Sequence, residues 1–239
     1  MTRINEIIAE IEAFAPKELA MAHDPIGLQI GDPNQDVTKM LVTLDVRPEV
    51  VAEAITQDIH FIFSHHPAIF RPVQQLDYRN PQQKMYAELI KHDITVYSAH
   101  TNIDQAKTSM NDWLMSQLPV TASQGFVKTT SQTGNEIYLG RKAELQQAMP
   151  LADFVQLTKQ VYDLAGVRVI SPDLTQTVQK IAIIGGDGGK FYPEAVAQDI
   201  DVFLTGDVYY HTAHDMLAAG LNVIDLGHNV EKIFIAAMT

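Results

Sequence analysis

The chain has 239 residues, of which 46% are hydrophobic, and its 17 basic and 29 acidic side chains give a formal net charge of -12. This is enough apolar material for one large domain or two smaller lobes. Binding to phosphate backbones and anionic membranes relies on Lys and Arg, so the negative charge makes nucleic-acid and membrane partners unexpected. The chain contains no Cys, which excludes disulfides and favours a cytoplasmic location.

The first half alternates between helical and strand patterns. Apolar residues at helical spacing from Ile4 to Ile11 predict an amphipathic helix rather than an export signal. Gly and Pro in segment 23–34 favour a shaped loop over regular structure. The elements predicted next are a strand at 40–46, a helix at 48–57, a strand ending at His65, a helix at 82–91, a strand ending at His100 and a helix at 109–117. This alternation predicts a parallel sheet covered by helices.

The second half repeats this pattern after a change of composition. Segment 119–142 is rich in Thr, Ser, Gln and Gly, and is interpreted as the join between two lobes. Helix 151–164 and strands 167–170, 180–184, 202–205 and 222–226, with helices between and after the later strands, are predicted beyond it. We therefore expect an α/β protein with lobes at 1–125 and 126–239, mainly parallel sheets flanked by helices, and a C-terminal helix able to pack back on the first lobe.

Histidines follow three of the predicted strands. His65 and His66 end the first such run, His100 and then Asp104 follow the second, and His228 and then Glu231 follow the third. Each motif has an ordinary alternative: turn histidines bonded to backbone, an Asx turn, or a helix start. Their coincidence at strand ends favours a shared metal site. Imidazole and carboxylate donors without thiolate are typical of Zn, Fe, Mn, Co or Ni.

Three further motifs have weaker functional interpretations. His211 and His214 lie at a predicted helix start with Asp207 nearby. A role in contacting the metal ligands or the substrate is preferred to direct metal ligation. Gly185–Gly189 resembles a phosphate-binding loop, but a tight strand-to-helix turn explains it equally well. Ser64 lacks the sequence of a nucleophile elbow, which disfavours a serine hydrolase.

Four sequence blocks resemble the signatures of the NIF-three-like proteins, also labelled GTP cyclohydrolase 1 type 2 homologues. They are Ser64-His65-His66-Pro67, His100-Thr101-Asn102-Ile103-Asp104 with Asn111-Asp112-Trp113-Leu114, Thr205-Gly206-Asp207, and Gly227-His228-Asn229-Val230-Glu231, and the segment from Asp24 to Asp32 is similar to the family's N-terminal block. The resemblance implies two α/β lobes, a dinuclear divalent-metal site between them, and a ring-shaped homohexamer. It also implies metal ligation by His65, His66, Asp104, His228 and Glu231, with His100 as a further ligand or a water-mediated contact.

The leading functional hypothesis is a metal-dependent hydrolase with two divalent cations per chain. Two neighbouring cations can activate a bridging water towards a phosphoryl group or an amide-like carbon, and Glu231 is the expected bridging residue. A nucleotide-like or phosphorylated substrate is expected, although no residue pattern identifies a guanine pocket. The alternative is a non-catalytic metal-binding, metal-delivery or scaffold protein that uses the same ligands without an open coordination position.

Overall fold

A computed structural model describes residues 2–239, which divide into two compact units. Unit 1 runs to Ala106 and includes the short segment Ser131–Thr133 and the C-terminal Phe234–Thr239. Unit 2 contains Lys107–Thr130 and Gly134–Ile233. The division therefore follows residue 106, whereas the lobes expected from the sequence divide after residue 125. Most of the C-terminal helix therefore belongs to unit 1.

Unit 1 contains a four-stranded sheet with helices formed by the segments between its strands. Its elements are β1 (Thr2–Arg3), α1 (Ile4–Phe14), a 3-10 turn (Lys17–Leu19), β2 (Gly27–Ile30), β3 (Asp36–Val37), β4 (Leu41–Thr43), α2 (Pro48–Thr56), β5 (Phe61–Ser64), α3 (Pro81–Lys91), β6 (Thr95–Ser98), α4 (Thr101–Gln105) and α9 (Ile233–Ala237), the last beginning at the final residue of unit 2. The strand order is β2-β6-β5-β4, with β4, β5 and β6 parallel and β2 antiparallel at the edge. The predicted βαβ alternation is confirmed, but the loop expected at 23–34 includes the regular strand β2.

Local sequence explains why these elements begin where they do. Pro48 and Pro81 occupy the first turns of α2 and α3, where a missing N–H costs no hydrogen bond. Asn80 caps α3 by accepting from the backbone N–H groups of Gln82 and Gln83. All four residues of β5 are buried, as expected for a central parallel strand covered on both faces.

Unit 2 contains a six-stranded mixed sheet. Its elements are α5 (Met110–Ser116), β7 (Gln124–Thr130), β8 (Glu136–Pro150), α6 (Leu151–Val161), β9 (Arg168–Ile170), β10 (Thr177–Ile183), a 3-10 turn (Gly189–Phe191), α7 (Tyr192–Ala197), β11 (Val202–Thr205), α8 (Tyr210–Ala218), β12 (Asn222–Asp225) and a 3-10 turn (His228–Lys232). The strand order is β7-β8-β10-β11-β12-β9. The β10–β11 and β11–β12 pairings are parallel. The pairings β7–β8, β8–β10 and β12–β9 are antiparallel.

Two expectations for this half need correction. Segment 119–142, interpreted from its composition as the join between lobes, contains regular structure, because β7 and the first part of β8 pair within it as an antiparallel hairpin. Its Thr residues suit a strand, and Gly134, with φ +85°, lies in the connecting turn. The hairpin and the short β9 add antiparallel edges, so the sheet of unit 2 is mixed rather than mainly parallel.

The parallel strands of each unit end at the residues singled out in the sequence. In unit 1, His65 follows β5 and His100 follows β6 closely; in unit 2, Asp207 follows β11 and His228 follows β12. The carboxyl ends of neighbouring parallel strands lie at one sheet edge, so each unit gathers its own set of polar side chains there. Within residues 2–239, no helix combines the length and hydropathy needed to span a membrane.

Candidate metal centre

Unit 1 brings three imidazoles together. His65, which is fully buried, His66 and His100 each offer a ring nitrogen, and these three atoms lie within 4.8 Å of one another. Asp104, on the helix that follows His100, approaches the same group, with its Oδ1 atom 3.6 Å from His65 Nε2. Three imidazoles at this spacing can hold a metal ion, and Asp104 offers a carboxylate oxygen beside His65.

The hydrogen bonds of these imidazoles fix the nitrogen that each ring can offer. His65 Nδ1 lies 3.0 Å from the Ala99 carbonyl oxygen, which can only accept, so this nitrogen carries the proton and the lone pair lies on Nε2. His66 Nδ1 donates to Asp45 Oδ1 at 2.8 Å. A metal-binding imidazole characteristically donates its other N–H to a carbonyl or carboxylate in this way.

Asp24 gives the third imidazole of unit 1 the same kind of partner. His100 Nδ1 donates to Asp24 Oδ1 at 2.9 Å, and the other carboxylate oxygen accepts from the Thr101 N–H at 3.0 Å and from the Thr101 hydroxyl. Burial opposes ionisation of Asp24, but the bonds from His100 and Thr101 outweigh it and hold the pKa of this carboxyl below its usual value. Burial likewise opposes protonation of His100, yet Asp24 and the charge of Asp104 raise its pKa.

Sequence reasoning missed both carboxylates that orient these rings. Asp45 follows β4 closely, as His65 follows β5, so its position at a strand end is a signal that could have identified it. Asp24 lies in the loop before β2, 76 positions before His100, and no local pattern connects the two residues. Segment 23–34, which the sequence predicts as a shaped loop, therefore supplies a buried acceptor for His100.

Unit 2 supplies a second, smaller set of donors. His228 Nε2 lies 3.2 Å from Glu231 Oε2, and the Glu231 side chain is almost fully buried. His228 Nδ1 donates to Asp207 Oδ2 at 2.7 Å, so this imidazole has the same arrangement as those of unit 1. The three-residue spacing places the two side chains on one side of the 3-10 turn His228–Lys232. His228 and Glu231 therefore lie side by side, as their spacing in the motif predicts, and Asp207 orients the His228 imidazole.

The glycine-rich loop after β10 makes room for these two side chains. A Cβ atom on Gly185 would lie 2.9 Å from Glu231 Oε1, and one on Gly186 would lie 2.8 Å from Glu231 Oε1 and 3.2 Å from His228 Nε2. Gly186 also has φ +61°, which L-amino acids with side chains adopt only at a cost. Neither of the two earlier interpretations, phosphate binding or a tight turn, includes this steric role.

Buried polar groups hold the loop against the carboxylate. Asn111, on α5, accepts the Gly185 N–H at 3.0 Å through Oδ1. The Thr205 hydroxyl accepts the Gly188 N–H at 2.9 Å and donates to the Gly186 carbonyl at 3.3 Å, and Gly206 N–H donates to that same carbonyl at 2.8 Å. The loop backbone is therefore fixed at three points before any ligand binds.

The remaining sequence candidates lie outside these donor sets. His211 and His214 are exposed near the start of α8, and within residues 2–239 neither belongs to a group of three or more possible metal ligands. Their rings instead contact the ring of Tyr210. Ser64 is fully buried, and its hydroxyl bonds to the His66 carbonyl and the Ser98 hydroxyl. This geometry leaves Ser64 a structural role.

Comparison with known proteins agrees with the four sequence blocks. A family model described as Duf34/NIF3 (NGG1p interacting factor 3) matches residues 2–239. A Streptococcus pneumoniae protein named GTP cyclohydrolase 1 type 2 homolog is 42% identical over 236 residues, covering 97% of this chain and 86% of the relative. A Lactococcus lactis protein of the same name is 41% identical over 235 residues, covering 98% and 88%. The crystal structure of a Bacillus cereus protein related to NIF3 has a TM-score of 0.93 at 30% identity, covering 98% of this chain and 90% of that one. The chain therefore belongs to the Duf34/NIF3 family.

Proposed function

We propose that the protein is a metal-dependent hydrolase whose His65, His66, Asp104, His228 and Glu231 hold two divalent cations, with His100 as a further ligand or a water-mediated contact. The observation that carries this proposal is the shared arrangement of the four imidazoles. Each bonds through Nδ1 to a carbonyl or carboxylate oxygen and so presents Nε2 as the metal-binding atom. Histidines retained only as turn residues have no need for this common orientation.

When bound, a pair of Zn, Fe, Mn, Co or Ni ions supplies Lewis acidity towards a phosphoryl or amide-like group and makes water a stronger acid. The contribution of the chain is preorganisation. Asp45, Asp24 and Asp207 hold imidazole rings by hydrogen bonds, and the glycine loop leaves Glu231 the space for its carboxylate. Glu231 is the residue that we propose bridges the two cations, because its carboxylate offers two oxygens and is buried beside an imidazole.

A nucleotide-like or phosphorylated molecule is the substrate class that we propose. The names of the relatives refer to a GTP cyclohydrolase type, which supports this class without identifying a reaction. We also propose a cytoplasmic homohexamer, and light scattering of the purified chain tests that assembly directly. A mass of one or two chains would contradict it.

Metal analysis of purified protein is the first test of the ligand set. The chain, purified without chelators or an affinity-tag metal, should carry about two transition-metal ions, and H65A/H66A should lose them. H60A/H92A is the matched control, because these two histidines pair with carboxylates at partly exposed positions away from the ligand set. Absence of stoichiometric metal after reconstitution would refute the centre. Unchanged hydrolysis of a nucleotide panel by E231Q would refute the role of Glu231.

A non-catalytic metal-binding or metal-delivery protein is the second candidate. The complete burial of His65 and the near-complete burial of Glu231 favour it, since a closed site has no need to admit water or substrate. A catalytic centre keeps an exchangeable position. Relaxation of water protons by a Mn-loaded sample distinguishes the two: fast exchange supports the hydrolase, and no exchangeable water supports the storage or delivery protein.

A further inference from the structure

The start of α8 in unit 2 presents an unusual surface of aromatic rings. Tyr209 and Tyr210 are 68% and 70% exposed, the highest values among the large apolar side chains of residues 2–239. The ring centroid of Tyr210 lies 4.6 Å from that of His214 and 5.3 Å from that of His211. We call the exposed side chains of Tyr209, Tyr210, His211 and His214 the aromatic platform, in which the ring contacts join Tyr210 to the two histidines. None of them is needed for the buried core of unit 2.

The platform begins close to the donor set of unit 2. Asp207, whose carboxylate holds the His228 imidazole, precedes Tyr209 by two residues. Two residues of extended chain span at most about 7 Å, so the platform and the His228 donor set share one end of the sheet. The binding sites of open α/β sheets lie at this end.

A guanidinium group lies beside the same segment. Arg168, on β9, bonds through Nη2 to the Val208 carbonyl and to Asp225 Oδ2, the latter at 2.7 Å. Within residues 2–239 its Nε and Nη1 atoms make no hydrogen bond, and the side chain is 53% exposed. A cleft of about 670 Å³ opens next to it, lined by residues 163–168 and 225–227 and by Asn229. Arg168 is therefore anchored on one side and able to bind an anion on the other.

From these contacts we infer that the aromatic platform stacks against a planar heterocycle of the substrate and that Arg168 binds an anionic group on the same molecule. Exposed aromatic rings bind planar heterocycles through their faces, and a guanidinium binds phosphate or carboxylate through paired N–H groups. The inference deepens the proposed function, on which it rests for the identity of the ligand as substrate. It assigns recognition to residues that are outside the proposed metal-ligand set.

The experiment compares a nucleotide with its sugar phosphate. Guanosine monophosphate, guanosine and ribose 5-phosphate are titrated calorimetrically into the full chain, into Y209A/Y210A and into R168K. Y78A serves as the matched control, because Tyr78 is 63% exposed but belongs to unit 1. Circular dichroism and melting temperature establish that each variant is folded.

We expect the nucleotide to bind more tightly than ribose 5-phosphate, and the gain to disappear in Y209A/Y210A. Stacking on each ring corresponds to roughly 5- to 100-fold in affinity. R168K should weaken the nucleotide but not guanosine, whereas Y78A should change neither. The inference is overturned if the wild-type chain shows no nucleotide binding, if ribose 5-phosphate binds as tightly as the nucleotide, or if Y209A/Y210A keeps full affinity. A change in oligomer mass with unchanged nucleotide affinity would also overturn it and identify the platform as a contact between copies.

The titration is repeated in H65A/H66A to separate this inference from the proposed hydrolase. Nucleotide binding that survives in H65A/H66A and is lost in Y209A/Y210A supports the platform even if the chain proves to hold no metal. Stoichiometric metal and an active hydrolase, with nucleotide affinity insensitive to Y209A/Y210A, would overturn the platform alone.

Discussion

Replacing Gly186 with Ala tests whether the glycine loop exists to accommodate the Glu231 carboxylate. The added Cβ would lie 2.8 Å from Glu231 Oε1 and 3.2 Å from His228 Nε2, whereas ordinary contacts begin at 3.4 Å. The loop has little freedom to retreat, because Asn111 and Thr205 hold its backbone. The carboxylate therefore has to move by more than half an ångström.

G186A has two effects, backbone strain at a positive φ and displacement of the neighbouring side chains, and substitutions at two other glycines separate them. A Cβ on Gly220 would have no neighbour within 4 Å at φ +76°, and one on Gly166 would also have none, at a φ that needs no left-handed conformation. G220A therefore measures the backbone cost alone, about 1–2 kcal/mol, and G166A should be close to neutral. G186A adds displacement of two candidate ligands. Because metal–ligand distances in proteins stay within about 0.2 Å of their usual values, we expect a loss of roughly 10- to 100-fold in metal affinity.

Urea denaturation and competition with a chromophoric chelator measure the two costs for each variant. We expect G186A and G220A to lose stability, but only G186A to lose metal affinity. Equal metal affinities in G186A and G220A would refute the idea that the loop shapes the carboxylate site. Equal stabilities of G166A and G220A would show that the left-handed backbone is not strained by Ala.

Three further predictions concern contacts within single units. D45N should weaken metal binding roughly 10- to 100-fold by loosening His66, whereas D58N, which alters an exposed Asp58–His60 pair, should leave it unchanged in the same chelator competition. R141A should cost about 1–3 kcal/mol in urea denaturation, because it removes both bonds between Arg141 and the partly exposed Asp112. R47A, at an exposed pair with Glu49, should leave the free energy of unfolding nearly unchanged. Burial opposes ionisation of Glu12, but hydrogen bonds from Lys17 and Tyr97 outweigh it and lower the pKa of this carboxyl below 4.5. The stabilisation that ionised Glu12 contributes is therefore complete above pH 4.5 and is lost as the pH falls through the lowered pKa. Y97F should lower the free energy of unfolding by about 1 kcal/mol at pH 7 and reduce the loss of stability at acidic pH. An unchanged acidic part of the stability-against-pH curve would contradict the role of Tyr97 in lowering the Glu12 pKa.

The sequence predicted the elements whose signals are local. The strands before His65, His100 and His228 were readable from short apolar runs, and the helix over Pro48–Thr56 from its periodicity and its Pro. The hairpin formed by β7 and β8 was missed because its polar composition resembles a linker, and its pairing depends on partners in the sheet.

The partners of the candidate ligands were less predictable than the ligands themselves. Contacts such as Asp24 with His100 and Asn111 with Gly185 join residues more than 70 positions apart, so only the folded backbone brings them together. A glycine that leaves room for a carboxylate has the same sequence appearance as a glycine in a turn. Steric roles of this kind become visible only when the missing Cβ is placed in the structure.

The acidic composition that argues against a nucleic-acid partner also suits a cation-binding protein. In unit 1, Asp24 and Asp45 bond to imidazoles, and Asp104 lies beside His65. In unit 2, burial raises the pKa of Asp187, and the charge of Asp207 raises it further. A cation would offset such repulsion between carboxylates, and a negative field at a cleft raises the local concentration of cations and their rate of arrival. Charge and site geometry therefore favour the same ligand, and added salt should slow metal uptake by screening this field without disturbing the hydrogen bonds that orient the imidazoles.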